Sequence, residues 1–533
     1  MNKKVFINIL LTLVLGVILY YFMLPPLNLT APAFYVFVVF LVIIYFVLSL
    51  VTMFKPKIRV INNKFEYEGK FPKIILVIPV MILIIMVVNL ALSPIFNSES
   101  YANRMYVNET GIFTDDIAEV NFSSIPLLDK ESSRKLGDRT MGQMADLVSQ
   151  FDVSNLYTQI NFNADIVRVT PLEYSGIIKY FTNRKNGVEG YIVVNSTNGE
   201  SSLVRLEKGM KYMPSAAFFE NLDRKLRMQY PTEIFGESSF EIDNEGNPYW
   251  ITPLIKYKGI GLKKEIKGIV VTNPVTGKSE KYNIGSIPTW IDHVYDANLI
   301  IEQFNNWGEY KNGFWNSIFG QKNVVNTTEG YNYLAMNDDI YLYTGVTSVV
   351  ADESNLGFIL TNMRTKETNF YSVPGAEEYS AMASAEGLVQ EKNYKASFPL
   401  LINLNNKPTY LMSLKDNAGL VKMYALVDVV DYQKVVTSDA SLGIEVAANK
   451  YLMENPATDV TGDLVEATIE IRKVTTAVID GTTYYYFMDR ENNVYSASIK
   501  INKDVLPFIE VGNTVNIAYT KTPTIGVIAI IKK

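Results

Sequence analysis

The chain has 533 residues, more than one hydrophobic core usually serves, so several domains are expected. Its first 96 residues carry a net charge of +6 and the remaining 437 carry −12, and an acidic body disfavours nucleic acid as a partner because phosphate binding needs clustered positive charge. The sequence contains no cysteine, which excludes disulfides, thiolate metal sites and a cysteine nucleophile and suits an exposed bacterial cell-surface location.

Three segments near the N-terminus are apolar, uncharged and long enough to cross the hydrocarbon core of a bilayer. They are residues 5–24, 33–54 and 74–96. Cleavage of the first as a signal peptide is the alternative, but its apolar stretch is too long and the small-residue site Ala31-Pro32-Ala33 adjoins the second segment. The sequence therefore predicts three transmembrane helices.

Basic residues beside these segments predict the orientation. Lys3 and Lys4 precede the first span and six further Lys and Arg lie in the loop 55–73, whereas LPPLNLTAP between the first two spans is uncharged. We therefore expect a multi-pass protein of the plasma membrane with a cytoplasmic N-terminus and with the residues after about 97 outside the cytoplasm. Asn8 and Asn89 are expected to form hydrogen bonds between the spans. No charged residue lies at the centre of a span, which favours packing over transport.

After a connector at 97–130, four stripes of apolar residues have the spacing of amphipathic helices. The stripes are Met141, Met144, Val148 and Phe151; Phe218, Leu222, Leu226 and Tyr230; Trp290, Val294, Ile301 and Phe304; and Tyr379, Met382, Ala385 and Val389. Strand-turn-strand patterns are clear at 240–255 and 398–414 and weaker at 157–169 and 333–346.

One line of sequence recurs after these hairpins. GYIVVN begins at Gly190, GIVVTN at Gly268 and GFILTN at Gly357, at steps of 78 and 89 residues. We interpret the line as the last strand of each repeated unit, with the turn after the asparagine leaving the sheet. Each unit would then place one helix on a three- or four-stranded antiparallel sheet, an α+β layer.

These residues resemble PepSY-type repeats, small bacterial envelope modules in which one helix covers an antiparallel sheet that ends in a D-x-x-T-G-like strand. Asn273, Thr276 and Gly277 fit that pattern, and Asn195, Asn198 and Gly199 fit it more loosely. The third copy reads Arg364-Thr365-Lys366 without a glycine. The layout is also similar to envelope proteins of low-GC Gram-positive bacteria or their phages. The resemblance implies four units, at 131–210, 211–285, 286–373 and 374–456.

Residues 457–533 differ in character, with about five short strands separated by turn residues. The predicted turns are Asp480-Gly481, Glu491-Asn492-Asn493 and Gly512-Asn513. The spacing resembles an OB-fold barrel. Such barrels bind oligonucleotides in some proteins, but this one has no basic surplus and is predicted to lie outside the cell, so a protein or glycan is the expected partner.

Aromatic residues concentrate in NNWGEYKNGFWNSIFGQ, residues 305–321. The candidates for partner binding are Trp307, Tyr310, Phe314, Trp315 and Phe319. Trp and Tyr dominate binding hot spots, and the accompanying Gly and Asn predict a mobile, exposed loop. The alternative is that these rings pack on the adjacent sheet or on the next unit.

The sequence predicts no catalytic, cofactor-binding or metal-ligating residue. The single histidine, His293, is placed on the third helix as a structural residue. Ser132 to Lys135 forms a Ser-x-x-Lys pattern without companion motifs, and the pairs Asp115-Asp116 and Asp338-Asp339 are interpreted as turn residues. Asp243 to Asn247 begins like a calcium loop, but Leu254 stands where the bidentate glutamate belongs, so a hairpin turn is expected.

The sequence thus predicts a membrane-anchored α+β protein: three N-terminal transmembrane helices, a rod of tandem helix-on-sheet units, and a small C-terminal β-barrel. The expected function is non-enzymatic binding or scaffolding in the cell envelope, with the lipid bilayer and an envelope or secreted protein or glycan as partners. One alternative, which the PepSY resemblance implies, is a regulator or inhibitor of an extracytoplasmic peptidase. The other is a glycan-cleaving enzyme that uses two facing carboxylates about 5 to 9.5 Å apart.

Overall fold

The computed structural model describes residues 3–53, 57–61, 64–68, 73–122, 125–336, 338–349, 354–455, 465–479, 482–521 and 525–532. In this part of the chain three helices are long and apolar enough to cross a membrane, which confirms the predicted number of transmembrane helices. They are α1 (Lys3–Met23), α2 (Pro32–Met53) and α3 (Val77–Ala91), the last preceded by a 3-10 turn at Lys73–Leu76. The third span ends before residue 96 because Ser93 and Pro94 begin a separate helix. The hairpin β1 (Lys57–Ile61) and β2 (Lys64–Glu68) joins α2 to α3.

The two asparagines of the spans have different roles. Asn8 Nδ2 donates to Thr52 Oγ1 at 2.8 Å, so it joins α1 to α2 as predicted. Asn89 does not bond to another span: its Nδ2 donates to the Ile260 carbonyl at 3.0 Å and its Oδ1 accepts from the Ile260 N–H at 3.2 Å. The end of α3 is therefore fixed to a loop of the later domain.

Four antiparallel sheets follow a connecting segment, and all four have the same layout: a helix, a short strand, a hairpin and two further strands. In each sheet the short strand and the first hairpin strand both pair with the second hairpin strand. The sheets therefore have at least five strands rather than the three or four predicted, because the short strands of two or three residues leave no periodic pattern in the sequence.

The elements of the connector and the first two sheets are α4 (Pro94–Ala102), β3 (Val107–Gly111), α5 (Phe113–Asp116), α6 (Lys130–Gly142), β4 (Phe151–Val153), β5 (Thr158–Phe162), β6 (Asp165–Tyr174), α7 (Ile177–Asn183), β7 (Val188–Asn195), β8 (Ser201–Met210), α8 (Leu222–Gln229), β9 (Ile234–Phe235), β10 (Ser239–Ile242), β11 (Pro248–Lys256), β12 (Glu265–Thr272) and β13 (Ser279–Asn283).

The elements of the third and fourth sheets are α9 (Ala297–Tyr310), β14 (Val325–Thr327), β15 (Asn332–Met336), β16 (Asp339–Ser348), β17 (Ser354–Asn362), β18 (Thr368–Tyr371), β19 (Gly375–Ala376), α10 (Glu378–Leu388), β20 (Lys395–Ala396), β21 (Leu400–Leu404), β22 (Lys407–Lys415), β23 (Val421–Asp428) and β24 (Val435–Asp439).

Two of the four predicted helices lie at the predicted stripes, α8 and α10, and two are displaced. The first helix, α6, ends at Gly142, so Val148 lies in a turn and Phe151 begins β4. The third, α9, begins after Trp290 and Val294. The starts are set by N-caps: Asp129 accepts from the Ser132 N–H and Asp296 from the Leu299 N–H. Apolar residues outside the helices reproduced helical spacing by coincidence.

The recurring line is the fourth strand of each five-strand set, in β7, β12 and β17, and its turn leads into the last strand of the same sheet. The prediction that this turn leaves the sheet is therefore wrong. In every copy the asparagine Oδ1 accepts two backbone N–H groups, two and three residues further on, at 2.9 to 3.1 Å. The asparagines are Asn195, Asn273 and Asn362. A fourth copy, not recognised in the sequence, has Asp428 in this role at the end of β23.

Hydrophobic cores are shared between consecutive sheets. Tyr191 of the first sheet packs on Phe240 of the second, with ring centroids 5.8 Å apart. The second and third sheets share another core, the third and fourth a further one, and the fourth sheet shares its other core with Tyr484 of the C-terminal sheet. The first sheet also contacts the fourth: Lys415 Nζ lies 2.5 Å from Asp129 Oδ2. The predicted rod is therefore wrong, since the helix of the first sheet meets the fourth sheet.

The connector is held against the third and fourth sheets. Helix α4 packs on α9, and β3 adds a parallel strand beside β18. Further on, the Val120 N–H donates to the Asn403 carbonyl at 2.8 Å, and Leu127 is buried in the core of the fourth sheet.

The C-terminal region begins after α11 (Ile444–Glu454) and forms a six-stranded sheet in the order β25-β29-β30-β28-β27-β26. Its strands are β25 (Val465–Glu470), β26 (Lys473–Ile479), β27 (Thr482–Met488), β28 (Val494–Ser498), β29 (Thr514–Lys521) and β30 (Gly526–Lys532). Asn492 and Gly512 have positive φ angles of 68° and 89°, as the predicted turns there require. The predicted turn at Asp480-Gly481, residues 457–464 and the side chains of Lys55 and Lys70 lie outside the described residues.

Candidate functional site

The first half of the aromatic segment is helical and packed, not a loop. Trp307 and Tyr310 lie in the last turn of α9, and Trp307 packs on the buried Phe304 with ring centroids 5.2 Å apart. Gly308 lies on the same side, and a Cβ there would come within 2.0 Å of the Val325 carbonyl oxygen. Because Gly308 has no side chain, α9 can pack closely on the third sheet, and this packing keeps the segment helical despite its Gly and Asn.

The second half of the segment turns back and exposes its rings. After Gly313, at a φ of 89°, a short π-helical turn at Asn316–Gly320 ends in the left-handed Gln321. Trp315 and Phe319 stack with centroids 5.8 Å apart and planes at 15°, yet they are 63% and 78% exposed. Phe314 lies between the two halves and touches both Tyr310 and Trp315.

This exposed half lies near the end of the third span. The Tyr101 hydroxyl of α4 donates to the Leu92 carbonyl at the end of α3, at 3.2 Å, and the Tyr101 ring lies 6.1 Å from that of Tyr310. Two further apolar side chains directly after the span, Ile95 and Phe96, are also exposed. We call the exposed apolar side chains Ile95, Phe96, Trp315, Ile318 and Phe319 the third-span surface.

A second exposed apolar surface lies beside the first span. Its members come from α7 and from the segment before α8: Ile177, Ile178, Phe181, Phe218 and Phe219, which we call the first-span surface. Phe219 meets Tyr21, in the last turn of α1, with ring centroids 6.0 Å apart. The Arg224 guanidinium lies 4.3 Å from the centre of the same Tyr21 ring, and Arg227 Nε donates to the Leu24 carbonyl at 3.0 Å.

Sequence reasoning did not recognise the first-span surface and named only one of its members, Phe218, as part of a helical stripe. Its only signal is two pairs of adjacent apolar residues, Ile177-Ile178 and Phe218-Phe219, each at the start of a short helix. A periodicity search takes only Phe218 from these pairs and assigns it to the stripe of α8, because two adjacent apolar residues fit neither the helical nor the strand period.

The loop between the first two spans docks into the second sheet. The Leu27 N–H donates to the Pro231 carbonyl at 2.8 Å, and the Gly261 N–H donates to the Thr30 carbonyl at 3.0 Å. Ala31 is buried in the core that the second and third sheets share. The ends of all three spans that meet the later domain are thus attached to it by hydrogen bonds.

Charged and polar groups meet where the first three sheets join. Glu241 of β10 accepts the Asp292 N–H at 2.9 Å and the His293 N–H at 3.3 Å through its two oxygens. Asp292 accepts the Asn161 N–H at 2.8 Å, and His293 Nε2 donates to the Gln159 carbonyl at 2.6 Å. We call this cluster the polar junction. His293 precedes α9, so the prediction that it lies on a helix is wrong.

Burial governs ionisation in the polar junction. It raises the pKa of Glu241 to about 7 and, with the nearby Glu241 charge as the next cause, raises the pKa of Asp292 well above its ordinary value. It lowers the pKa of His293 to about 4, so the imidazole is neutral at physiological pH. Each of the three ionisable groups, Glu241, Asp292 and His293, has a protein partner, and the arrangement is suited to joining sheets.

The other sequence motifs with possible chemistry are structural. The Ser132 N–H is capped by Asp129, and Lys135 Nζ donates to the Ala418 carbonyl rather than facing a serine. Asp243 Oδ1 accepts the Glu245 and Asn247 N–H groups and forms the predicted hairpin turn. Asp339 pairs with Arg364 at 2.6 Å. Among the described residues, no three His, Asp or Glu side chains are grouped so as to hold a metal ion.

A groove of about 860 Å³ lies between the fourth sheet and the C-terminal sheet. It is lined by β24 and α11 on one side and by Tyr486 on the other. Leu442 and Val446 present exposed apolar side chains to it. A groove of this size and mixed character can accept a peptide or glycan segment.

No protein-family model matches the sequence, and no curated protein matches it either. Among solved structures, the chain is similar to MPT-1, a GDP-Man-dependent mannosyltransferase from Leishmania mexicana, at 10% identity over 71% of this chain and 98% of that chain, with a TM-score of 0.13. A likeness at that score carries no argument about fold or activity.

Proposed function

We propose that this chain is a membrane-anchored, extracytoplasmic binding or scaffolding protein of the cell envelope and not an enzyme. The observation that carries the proposal is the sharing of cores: each sheet shares a hydrophobic core with the next, and the second sheet is attached to the spans. Cores shared in this way fix the C-terminal sheet relative to the membrane. A protein whose surfaces are held in fixed positions beside a bilayer is suited to binding a partner there.

The repeated layout supports the PepSY-like interpretation of the four sheets. The helix, the strand order and the side-chain-capped turn recur in all four, and the fourth copy has Asp428 where that pattern has an aspartate. In all four copies the Asn or Asp oxygen accepts backbone N–H groups of its own turn. The motif therefore supports a shared fold and gives no reason to place a ligand at the turn.

The strand order of the C-terminal sheet supports the OB-like interpretation. Strands β26, β27 and β28 form an antiparallel meander, β28 pairs in parallel with β30, and β29 joins β30 to β25. Strands β25 and β26 are separated by two residues only, so together they act as one bent strand that pairs at both edges of the sheet. That arrangement is the one expected of a small sheet that closes into a barrel, and it supports the OB-like proposal.

We propose that the N-terminus and the loop 55–73 lie in the cytoplasm and that the sheets lie outside it. This orientation is supported by the basic residues of that loop and by the docking of the opposite ends of the spans into the second sheet. External protease applied to cells stripped of their wall should digest the sheets and spare a tag inserted at Lys64. Labelling of that tag from outside would contradict the orientation.

The enzyme alternative would require facing carboxylates that substrate can reach. The charge of Glu241 contributes to the raised pKa of Asp292, but both carboxylates are almost fully buried and both accept backbone N–H groups across the polar junction. They hold sheets together. If the purified chain cleaved a glycan and Glu241→Gln abolished cleavage without unfolding, the non-enzymatic proposal would be wrong.

We place the partner in the groove beside α11. The test is crosslinking of the full chain in cells followed by mass spectrometry, with Leu442→Asp and Val446→Asp introduced together. A protein or glycan partner should crosslink to α11 in the parent chain and be lost in the double variant, while Val478→Asp, at an exposed position of the C-terminal sheet, should retain it. Crosslinks unchanged by the double variant would exclude the groove, and recovery of one peptidase would favour the regulator alternative.

A further inference from the structure

The position of Tyr21 fixes the depth of the first-span surface. Tyrosine at the end of a transmembrane helix lies at the level of the lipid headgroups. Phe219 contacts this ring at 6.0 Å, and Phe181 contacts the neighbouring Phe218 at the same separation. Ile178, on the same short helix as Phe181, is 75% exposed. These side chains therefore lie at the level where headgroups meet acyl chains.

A chain of aromatic contacts fixes the third-span surface in the same way. Tyr101 is bonded to the last residues of the third span, and from it the rings of Tyr310, Phe314, Trp315 and Phe319 follow one another at 5.3 to 6.3 Å. Phe96, four residues after Leu92, is exposed on the same helix as Tyr101. The exposed rings thus continue the apolar surface of the span.

Basic side chains accompany both surfaces. Arg224 and Arg227 bond to the carbonyls at the end of the first span, and Lys263 Nζ lies 4.8 Å from the centre of the Tyr101 ring. Arg227 and Lys263 are buried and hold the domain against the ends of the spans, whereas Arg224 is partly exposed beside Tyr21 and Phe219, where a lipid phosphate can meet it.

We propose that the extramembrane domain lies down on the bilayer, and that the first-span and third-span surfaces insert into the lipid interface on either side of the spans. The occupant is the lipid of the same membrane, because both surfaces are continuous with helices that lipid already covers. The inference does not depend on which side of the membrane the domain occupies, and it assigns Trp315 and Phe319 to lipid rather than to a protein partner.

The natural absence of cysteine allows a direct measurement of depth. Single variants Phe319→Cys, Ile178→Cys and Val478→Cys of the full chain each carry one nitroxide label. Each is reconstituted at one chain per nanodisc of phosphatidylethanolamine and phosphatidylglycerol. Power saturation with oxygen and with a water-soluble nickel complex then gives the depth of each label. Val478 is the matched control: it is 70% exposed, but on the C-terminal sheet.

Labels at residues 319 and 178 should be several-fold more accessible to oxygen than to nickel, at an interfacial depth of about 5 to 10 Å, and the label at 478 should show the reverse. Equal accessibility at all three positions would overturn the proposal. The proposal would also be overturned if the label at residue 319 or 178 were protected from nickel only when two chains share one disc, because the occupant would then be a second copy.

A second measurement avoids labels on the surface itself. Brominated lipids quench tryptophan only at short range, and the chain has four tryptophans. Quenching should fall when Trp315 is replaced by Phe and stay unchanged for Trp290→Phe. Quenching that is the same in the parent chain and in Trp315→Phe would overturn the assignment of the third-span surface to lipid.

Discussion

The polar junction and the two span surfaces invert the usual distribution of side chains. In the junction, two carboxylates are buried and an imidazole is partly buried, and each bonds to a backbone group of another element. In the span surfaces, Trp and Phe rings are exposed beside helices that cross a membrane. Buried polar groups are tolerated where partners satisfy them, and exposed rings are tolerated where another apolar phase covers them. What a side chain faces, rather than its type, decides where it lies.

The largest expected effect is the loss of stability when the polar junction is broken. Glu241→Leu removes the acceptor of two buried backbone N–H groups and of the Ser239 hydroxyl, and should lower the free energy of unfolding by about 4 kcal/mol. Glu241→Gln keeps one carbonyl acceptor and should lose about half as much. Urea unfolding of the full chain in detergent measures both. A leucine variant as stable as the glutamine variant would show that these bonds contribute nothing.

The second prediction separates the packed half of the aromatic segment from the exposed half. Trp307→Ala should cost about 3 kcal/mol, because the ring packs on Phe304 and on the core shared by the second and third sheets. Trp315→Ala should change stability by less than about 0.5 kcal/mol, since exposed substitutions rarely do more. Thermal unfolding in detergent compares the pair. Equal losses would mean that Trp315 is packed in solution.

Local chemistry made part of this fold predictable. The spans follow from length and hydropathy, and the hairpin at 240–255 follows from its turn residues. The predicted positions of α6 and α9 are wrong because apolar spacing in neighbouring turns outweighed the caps at Asp129 and Asp296. The cap is the stronger signal at a helix start, since it satisfies a specific orphan N–H.

The candidate site was only half predictable. Composition identified the aromatic segment 305–321, but whether a ring is packed depends on the approach of α9 to Val325, and Gly308 was read as a loop residue. The polar junction joins β5, β10 and the segment before α9, whose residues lie more than fifty positions apart, and no periodicity encodes such contacts. The fourth turn was not recognised because Asp428 accepts the backbone N–H groups that asparagine accepts in the other three turns, and the sequence around it differs.

The third prediction uses the raised pKa of Glu241, about 7. Between the ordinary value of a glutamate and 7, the unfolded chain releases this proton while the folded chain retains it, so stability from this group falls as pH rises through that window. The loss of stability between pH 5 and pH 7 should therefore be smaller in Glu241→Gln than in the parent chain, by about 2 kcal/mol. Identical pH dependence in the two chains would show that the carboxyl ionises normally.

The smallest effect concerns Lys366, which holds the position that glycine has in the first two turns, at a φ of 66°. Glycine would relieve about 1 kcal/mol of backbone strain there. The lysine is favoured because its Nζ donates to the Arg104 carbonyl at 2.9 Å and to Gln303 Oε1 at 3.0 Å, joining the connector to α9. Those bonds are worth about 2 kcal/mol together, so Lys366→Gly should lose about 1 kcal/mol.

Lys366→Met keeps the strain and loses the bonds, and should be about 1 kcal/mol less stable than the glycine variant. A glycine variant at least as stable as the parent chain would mean that the bonds do not offset the strain, and that polar contacts between elements matter less here than in the polar junction.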